Sequence, residues 1–162
     1  MATSSATEPE SAELWHELAA DAVAESPLWG QALRPEPERQ PIFSPLAPER
    51  FALGLESIYE AYLCHYGRPR LFAPADRDVA LLLGDYLYAH GLVRIAALGD
   101  VDAVAALAEL ISGCAALRAE ARSDDGSAWV DCARRLGGGP EPPEVERALA
   151  AHTARMRRPT VL

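Results

Sequence analysis

The chain has 162 residues, 49% of them hydrophobic, and a formal net charge of −9. That apolar content excludes disorder of the whole chain, and the length suits one domain with a sizeable core. The acidity argues against nucleic acid or an anionic membrane surface as a partner.

Residues 1–9 read as a polar leader with no apolar stretch of the secretory kind. A first helix is expected over residues 10–25, with Leu14, Trp15, Leu18 and Ala22 on its apolar side and Leu28 flanking it. Thr7 and Glu10 have the spacing of a capping box. Over residues 26–48, six prolines argue against any regular helix. The apolar side chains Leu28, Trp29, Ile42, Phe43 and Leu46 predict an extended segment pinned over the helices.

Residues 49–158 are expected to form the helical core. A helix from Pro48 to Tyr66 has proline at its first position, where the missing N–H costs nothing. Phe51, Leu55, Ile58, Tyr59, Tyr62 and Tyr66 turn inward, and Gly67 ends the helix. Glu56 and Glu60, four apart, read as a solvated opposite face, with weak residual metal binding as the lesser alternative. Arg68 and Arg70 flank Pro69 and read as solvated loop arginines.

The centre of the expected fold is a hairpin over residues 78–120. Val79 to Leu98 is apolar almost all round, with Asp85, His90 and Arg94 as its strongly polar members, so it belongs in the middle of a bundle. A buried Asp85 would need a partner, either Arg94 of a neighbouring subunit or a loop arginine. Gly99 and Asp100 supply the C-terminal glycine and the next N-cap. Val104, Leu107, Ala108, Ile111 and Ala115 then mark one buried face of the second helix.

Ser123 to Ser127 reads as a turn, and Ser127 to Leu136 as a short helix burying Trp129, Val130 and Ala133. Gly137-Gly138-Gly139-Pro140 breaks it and is no phosphate loop, since no Lys-Ser/Thr follows. A last helix over Glu144 to Arg157 uses Val145, Leu149 and Met156, and residues 159–162 form a tail. The fold class is therefore all-α, a compact helical bundle. His65 and His90 lack a second ligand at metal spacing and read as packed or partly exposed. Cys64, Cys114 and Cys132, odd in number and far apart, suit reduced thiols in the cytoplasm. No uninterrupted apolar run reaches the ~18 residues of a membrane span.

One stretch carries a family resemblance. Gly67-Arg68-Pro69 is followed, seventeen residues after Gly67, by Gly84-Asp85-Tyr86 in the hairpin's first helix. This resembles the middle of a trans-isoprenyl diphosphate synthase, where a Gly-Asp pair follows the Gly-x-Pro tail of the first aspartate-rich motif. The resemblance spans roughly Phe51 to Glu120 and implies a bundle like the central helices of the isoprenoid synthase fold. It places the family's magnesium-binding Asp-Asp-x-x-Asp on Glu56, Ser57 and Glu60, and its two diphosphate-binding arginines on His65 and Tyr66. The second aspartate-rich motif has no counterpart in the chain.

The degenerate positions are thus Glu56, Ser57, Glu60, Arg68, Gly84 and Asp85, with no catalytic residue and no metal ligand. The resemblance is closest to the truncated small subunit of heterodimeric long-chain, heptaprenyl-type synthases. It implies a cytoplasmic, non-catalytic subunit that binds and modulates a catalytic prenyl diphosphate synthase, magnesium entering only through that partner. Tyr86, Tyr88, Leu92 and Arg94 are the expected interface of a homodimer or heterodimer. The alternatives are a self-associating helical scaffold and, with less support, a minimal diphosphate- or isoprenoid-binding enzyme domain using Glu56, Glu60 and Asp85.

Overall fold

A computed structural model describes residues 7–157, with side chains from Ser11 onward. The side chains of the expected capping box, Thr7 and Glu10, and the tail at Thr160-Val161-Leu162 are outside what is described. Those described form seven α-helices: α1 (Thr7–Glu25), α2 (Pro27–Gln31), α3 (Ala52–Tyr66), α4 (Arg77–Ala97), α5 (Val101–Ala119), α6 (Asp125–Arg135) and α7 (Pro142–Met156). No β-strand occurs among them, and the all-α class holds.

The helix buried on every side is α3, not α4. Every residue from Gly54 to Cys64 is buried. α4 buries one face, Leu83, Gly84, Leu87, Gly91 and Ile95, and leaves Leu82, Asp85, Ala89 and Val93 exposed. Hydropathy pointed to α4 because α3 carries two glutamates. Those glutamates are neutralised internally, which a hydropathy pattern cannot register. By length and composition α4 could also cross a membrane, but its inner face packs on α3.

Glycines set how closely α3 and α4 approach. A Cβ on Gly91 would stand 2.6 Å from Ile58 Cγ1 and 3.0 Å from the Gly54 carbonyl oxygen. A Cβ on Gly54 would stand 2.5 Å from Ile95 Cδ1. Backbone therefore lies nearly against backbone at this crossing.

The hairpin turn forms as its residues dictate. Gly99 adopts φ +76°, and Asp100 Oδ1 accepts the Ala103 N–H at 3.0 Å. The buried face of α5 is rotated from the expected one. Ala103, Ala106, Leu107, Leu110 and Cys114 go in, while Ala108 and Ala115 face out. With alanine on so many positions, periodicity alone did not fix the phase.

The proline-rich segment is more structured than expected. Pro27 sits in the first turn of α2, with Ser26 as N-cap, so this proline starts a helix instead of forbidding one. Trp29, Ile42, Phe43 and Leu46 are buried as anchors, whereas Leu28 is exposed. Phe43 stacks on Trp129 at 5.4 Å and meets Tyr59 edge-on at 5.1 Å, which fixes the segment to both α3 and α6.

Candidate functional site

Two glutamates and an arginine form a closed buried cluster where the resemblance put a metal site. Glu56, Glu60 and Arg70 are all fully buried, which overturns their reading as solvated side chains. Arg70 donates from Nη1 to Glu56 Oε2 at 2.5 Å and from Nε to Glu60 Oε2 at 3.0 Å. The remaining carboxylate oxygens take backbone donors. Glu56 Oε1 accepts the N–H groups of Ile42 and Ser44, each at 3.3 Å. Glu60 Oε1 accepts those of Arg70 and Leu71, each at 2.8 Å.

Arg70 also donates to the Gln40 carbonyl at 2.8 Å, and its guanidinium lies between the rings of Trp15 and Tyr59, 4.7 and 4.9 Å away. Burial disfavours the guanidinium's charge, but the fields of Glu56 and Glu60 outweigh it and raise the Arg70 pKa. Every carboxylate oxygen here already has a partner. The cluster ties α1, α3, the proline-rich segment and the chain at 70–71 together, and offers no ligand set to magnesium. Ser57, between the two acids, donates to the Leu87 carbonyl at 3.1 Å and joins α3 to α4.

The remaining motif positions assemble elsewhere. His65, at the end of α3, lies against Gly84: a Cβ there would meet the ring at 2.2 Å. Its Nε2–H donates to the Leu81 carbonyl at 3.2 Å, and Asp85 Oδ1 lies 3.3 Å from the same nitrogen. Asp85 is therefore not a buried acid awaiting a partner chain. Its side chain is 69% exposed and leans on His65. Arg68 donates to the Ala154 carbonyl at 2.9 Å and holds α7.

The four expected interface residues face their own chain. Arg94 is engaged by Glu17 and Asp21 of α1. Tyr86 stacks on Trp29 and on His90, at 6.1 and 5.4 Å. Tyr88 and Leu92 pack against the core and are only partly exposed. The outward residues of α4 are Leu82 and Val93, 56% and 63% exposed, with Ala89, Ala96 and Ala97 between and beyond them. Leu98 and Val101, at the turn into α5, are also exposed.

A second buried polar chain had no signal in the sequence. Tyr59 O–H meets His152 Nδ1 at 2.8 Å, and His152 Nε2 lies 3.4 Å from Asp125 Oδ1. Arg118 donates to Asp125 Oδ2 at 2.6 Å and to the Tyr62 hydroxyl at 3.0 Å. Asp125, expected in an open turn, is buried because α6 starts with it. The order Tyr-His-Asp is that of a proton relay, but Tyr59 is fully buried, and burial pushes its pKa far up. With His152 and Asp125 buried as well, these bonds dock α7 on α3 and α6.

Cys64, Cys114 and Cys132 are free and buried, as expected of reduced thiols. Burial raises Cys64 well above the ordinary thiol value and brings Cys114 and Cys132 up to about 11, so none is an activated nucleophile. Among the described residues, no group of three histidine, cysteine or acidic side chains is placed to hold a metal ion. The chain matches no family model, no curated protein and no solved structure.

Proposed function

We propose that this chain is a non-catalytic helical subunit that works by association through the outer face of α4. The observation that carries the proposal is the exposed stripe of Leu82, Ala89, Val93 and Ala96, with Leu98 and Val101 also exposed at the turn that follows. The α4 members recur at the three- and four-residue steps of a helix–helix seam, interrupted only by Asp85. Monomeric proteins seldom leave such a face uncovered. The non-catalytic part is supported by Glu56 and Glu60, whose oxygens are all occupied within the chain.

The partner in this reading is a second α-helical subunit: another copy when the chain is alone, and a catalytic prenyl diphosphate synthase where one is supplied. Its role there would be to modulate that enzyme, with magnesium held by the enzyme's own residues. The naming of the enzyme rests on the spacing of Gly67-Arg68-Pro69 and Gly84-Asp85-Tyr86. The buried thiols suit the reducing cytoplasm the reading requires.

A specific observation also favours the plainer alternative, a self-associating scaffold without an enzyme. Gly84 and Asp85 have a local task in seating His65, which accounts for them without any synthase ancestry. Purification of the tagged chain from its native host, followed by a prenyltransferase assay on the co-purifying material, separates the two. Prenyl transfer that rises when the chain is added back supports the subunit. Recovery of the chain alone, as an oligomer, supports the scaffold.

A further inference from the structure

We infer that α7 is a detachable strap: it lifts off the bundle as one unit, pivoting at Gly139, while the other helices stay folded. The reason lies in what holds it. The buried residues of α7 are Ala148, His152 and Arg155, so one methyl and two polar side chains face the interior. Val145, Leu149, Ala151 and Met156 are only partly buried against the core. α6, the shorter helix at 11 residues, buries Trp129, Val130, Cys132 and Ala133. Apolar burial supplies most of a helix's hold on its neighbours, and α7 has little of it.

Polar contacts make up the rest, and water can replace them. His152 is held by the Tyr59 hydroxyl and by Asp125, and Arg155 by Glu38, whose side chain is 52% exposed. At the far end Arg68 donates its backbone N–H to the Arg155 carbonyl at 3.0 Å and its Nη2 to the Ala154 carbonyl at 2.9 Å. On opening, such bonds are exchanged for bonds to water, so each contributes little net. An ion pair with one partner in solvent contributes less still.

The connection from α6 sets the pivot. Gly137 adopts φ +106°, and a Cβ on Gly138 would stand 1.9 Å from the Leu46 carbonyl oxygen, so this part of the loop is fixed to the bundle. A Cβ on Gly139 would meet nothing within 4 Å. Beyond it α7 carries its own start, with Pro142 in the first turn and the Glu141 N–H donating to Glu144 Oε2 at 2.7 Å. None of that is lost when the helix lifts. Beneath it lie the rings of Phe43, Tyr59 and Tyr62, at 5.4, 5.8 and 6.1 Å from the His152 ring, and opening uncovers this aromatic seat. The strap is independent of the outer face of α4.

Hydrogen exchange on the full native chain, read by mass spectrometry over residues 142–156 and 54–64, tests this. A detached helix of 15 residues is too short to persist in water, so its amides exchange whenever it opens. They should exchange at least about tenfold faster than those of α3. Their rate should hardly change with urea below the unfolding transition, because opening exposes little surface, whereas α3 should accelerate steeply. Leu87→Ala, which weakens an α3–α4 contact kept in the open form, should speed exchange in α3 and leave α7 unchanged. Arg155→Ala should speed α7 several-fold. Exchange of α7 with the urea dependence of α3, or speeded by Leu87→Ala as much as α3, overturns the strap. An α7 rate unmoved by Arg155→Ala overturns its polar hold.

Discussion

Arg70 holds Glu60 by two routes at once, its backbone N–H donating to Oε1 at 2.8 Å and its side-chain Nε to Oε2 at 3.0 Å. With Glu56 on the other branch of the guanidinium, this makes an ion triad at zero exposure. Such clusters are unforgiving of partial removal, because a lone buried charge is left behind.

Arg70→Ala should therefore cost ~3–5 kcal/mol, read as a lower urea midpoint at unchanged slope. Replacing all three residues by apolar ones should not restore stability. The N–H groups of Ile42, Ser44, Arg70 and Leu71 would lose their acceptors, at about 1–3 kcal/mol for each one left buried. Magnesium should leave the midpoint of the native chain unmoved; a bound ion would raise it by mass action.

The α3–α4 crossing makes a graded prediction for two glycines. At Gly91 the obstacles to a methyl include the Gly54 carbonyl and the Ile58 backbone nitrogen, which cannot rotate aside. At Gly84 the main obstacle is the His65 ring, at the end of a side chain. Gly91→Ala should cost ~2–3 kcal/mol by forcing the helices apart. Gly84→Ala should cost less, about 1 kcal/mol, and displace His65 instead. Thermal unfolding ranks the pair, and histidine NMR signals report the displacement.

The buried thiols give a pH dependence. Cys114 and Cys132 are raised to about 11 from an ordinary value of 9.0, by burial first. Unfolding lowers their pKa, so between these values the folded state holds more protons. Stability is then fully present below about pH 9 and falls as pH rises towards 11. A Cys114→Ala, Cys132→Ala double variant should lose part of that alkaline decline. At pH 8 a thiol reagent should label the native chain slowly and label all three cysteines once urea unfolds it.

Leu82→Ala and Leu87→Ala separate surface from core on a single helix. Leu87 is 1% exposed and should cost ~2–5 kcal/mol, whereas Leu82, 56% exposed, should change the monomer's stability little.

Local signals made much of the fold legible. Gly99 and Asp100 announced the hairpin turn, Gly137 the end of α6, and the spacing of Leu55, Ile58, Tyr59 and Tyr62 the inner face of α3. Long-range compensation was not legible. Nothing near Glu56 in the chain shows that Arg70 and two backbone amides converge on it, so the glutamates read as solvated and α3 as amphipathic. The same blindness hid His152 and Asp125, which lie 27 residues apart and meet only after α6 and α7 pack. Asp85 misled in the opposite sense. Its apolar neighbours Leu82, Ala89 and Val93 share its outward face, and hydropathy alone cannot tell a surface stripe from a core.

Association through the outer face of α4 is the central claim, and sedimentation equilibrium at micromolar concentration tests it most directly. The native chain should sediment as a dimer, and a Leu82→Glu, Val93→Glu variant as a monomer with unchanged helicity and urea midpoint. A native chain at the monomer mass at all accessible concentrations, or a variant that remains dimeric, would contradict it.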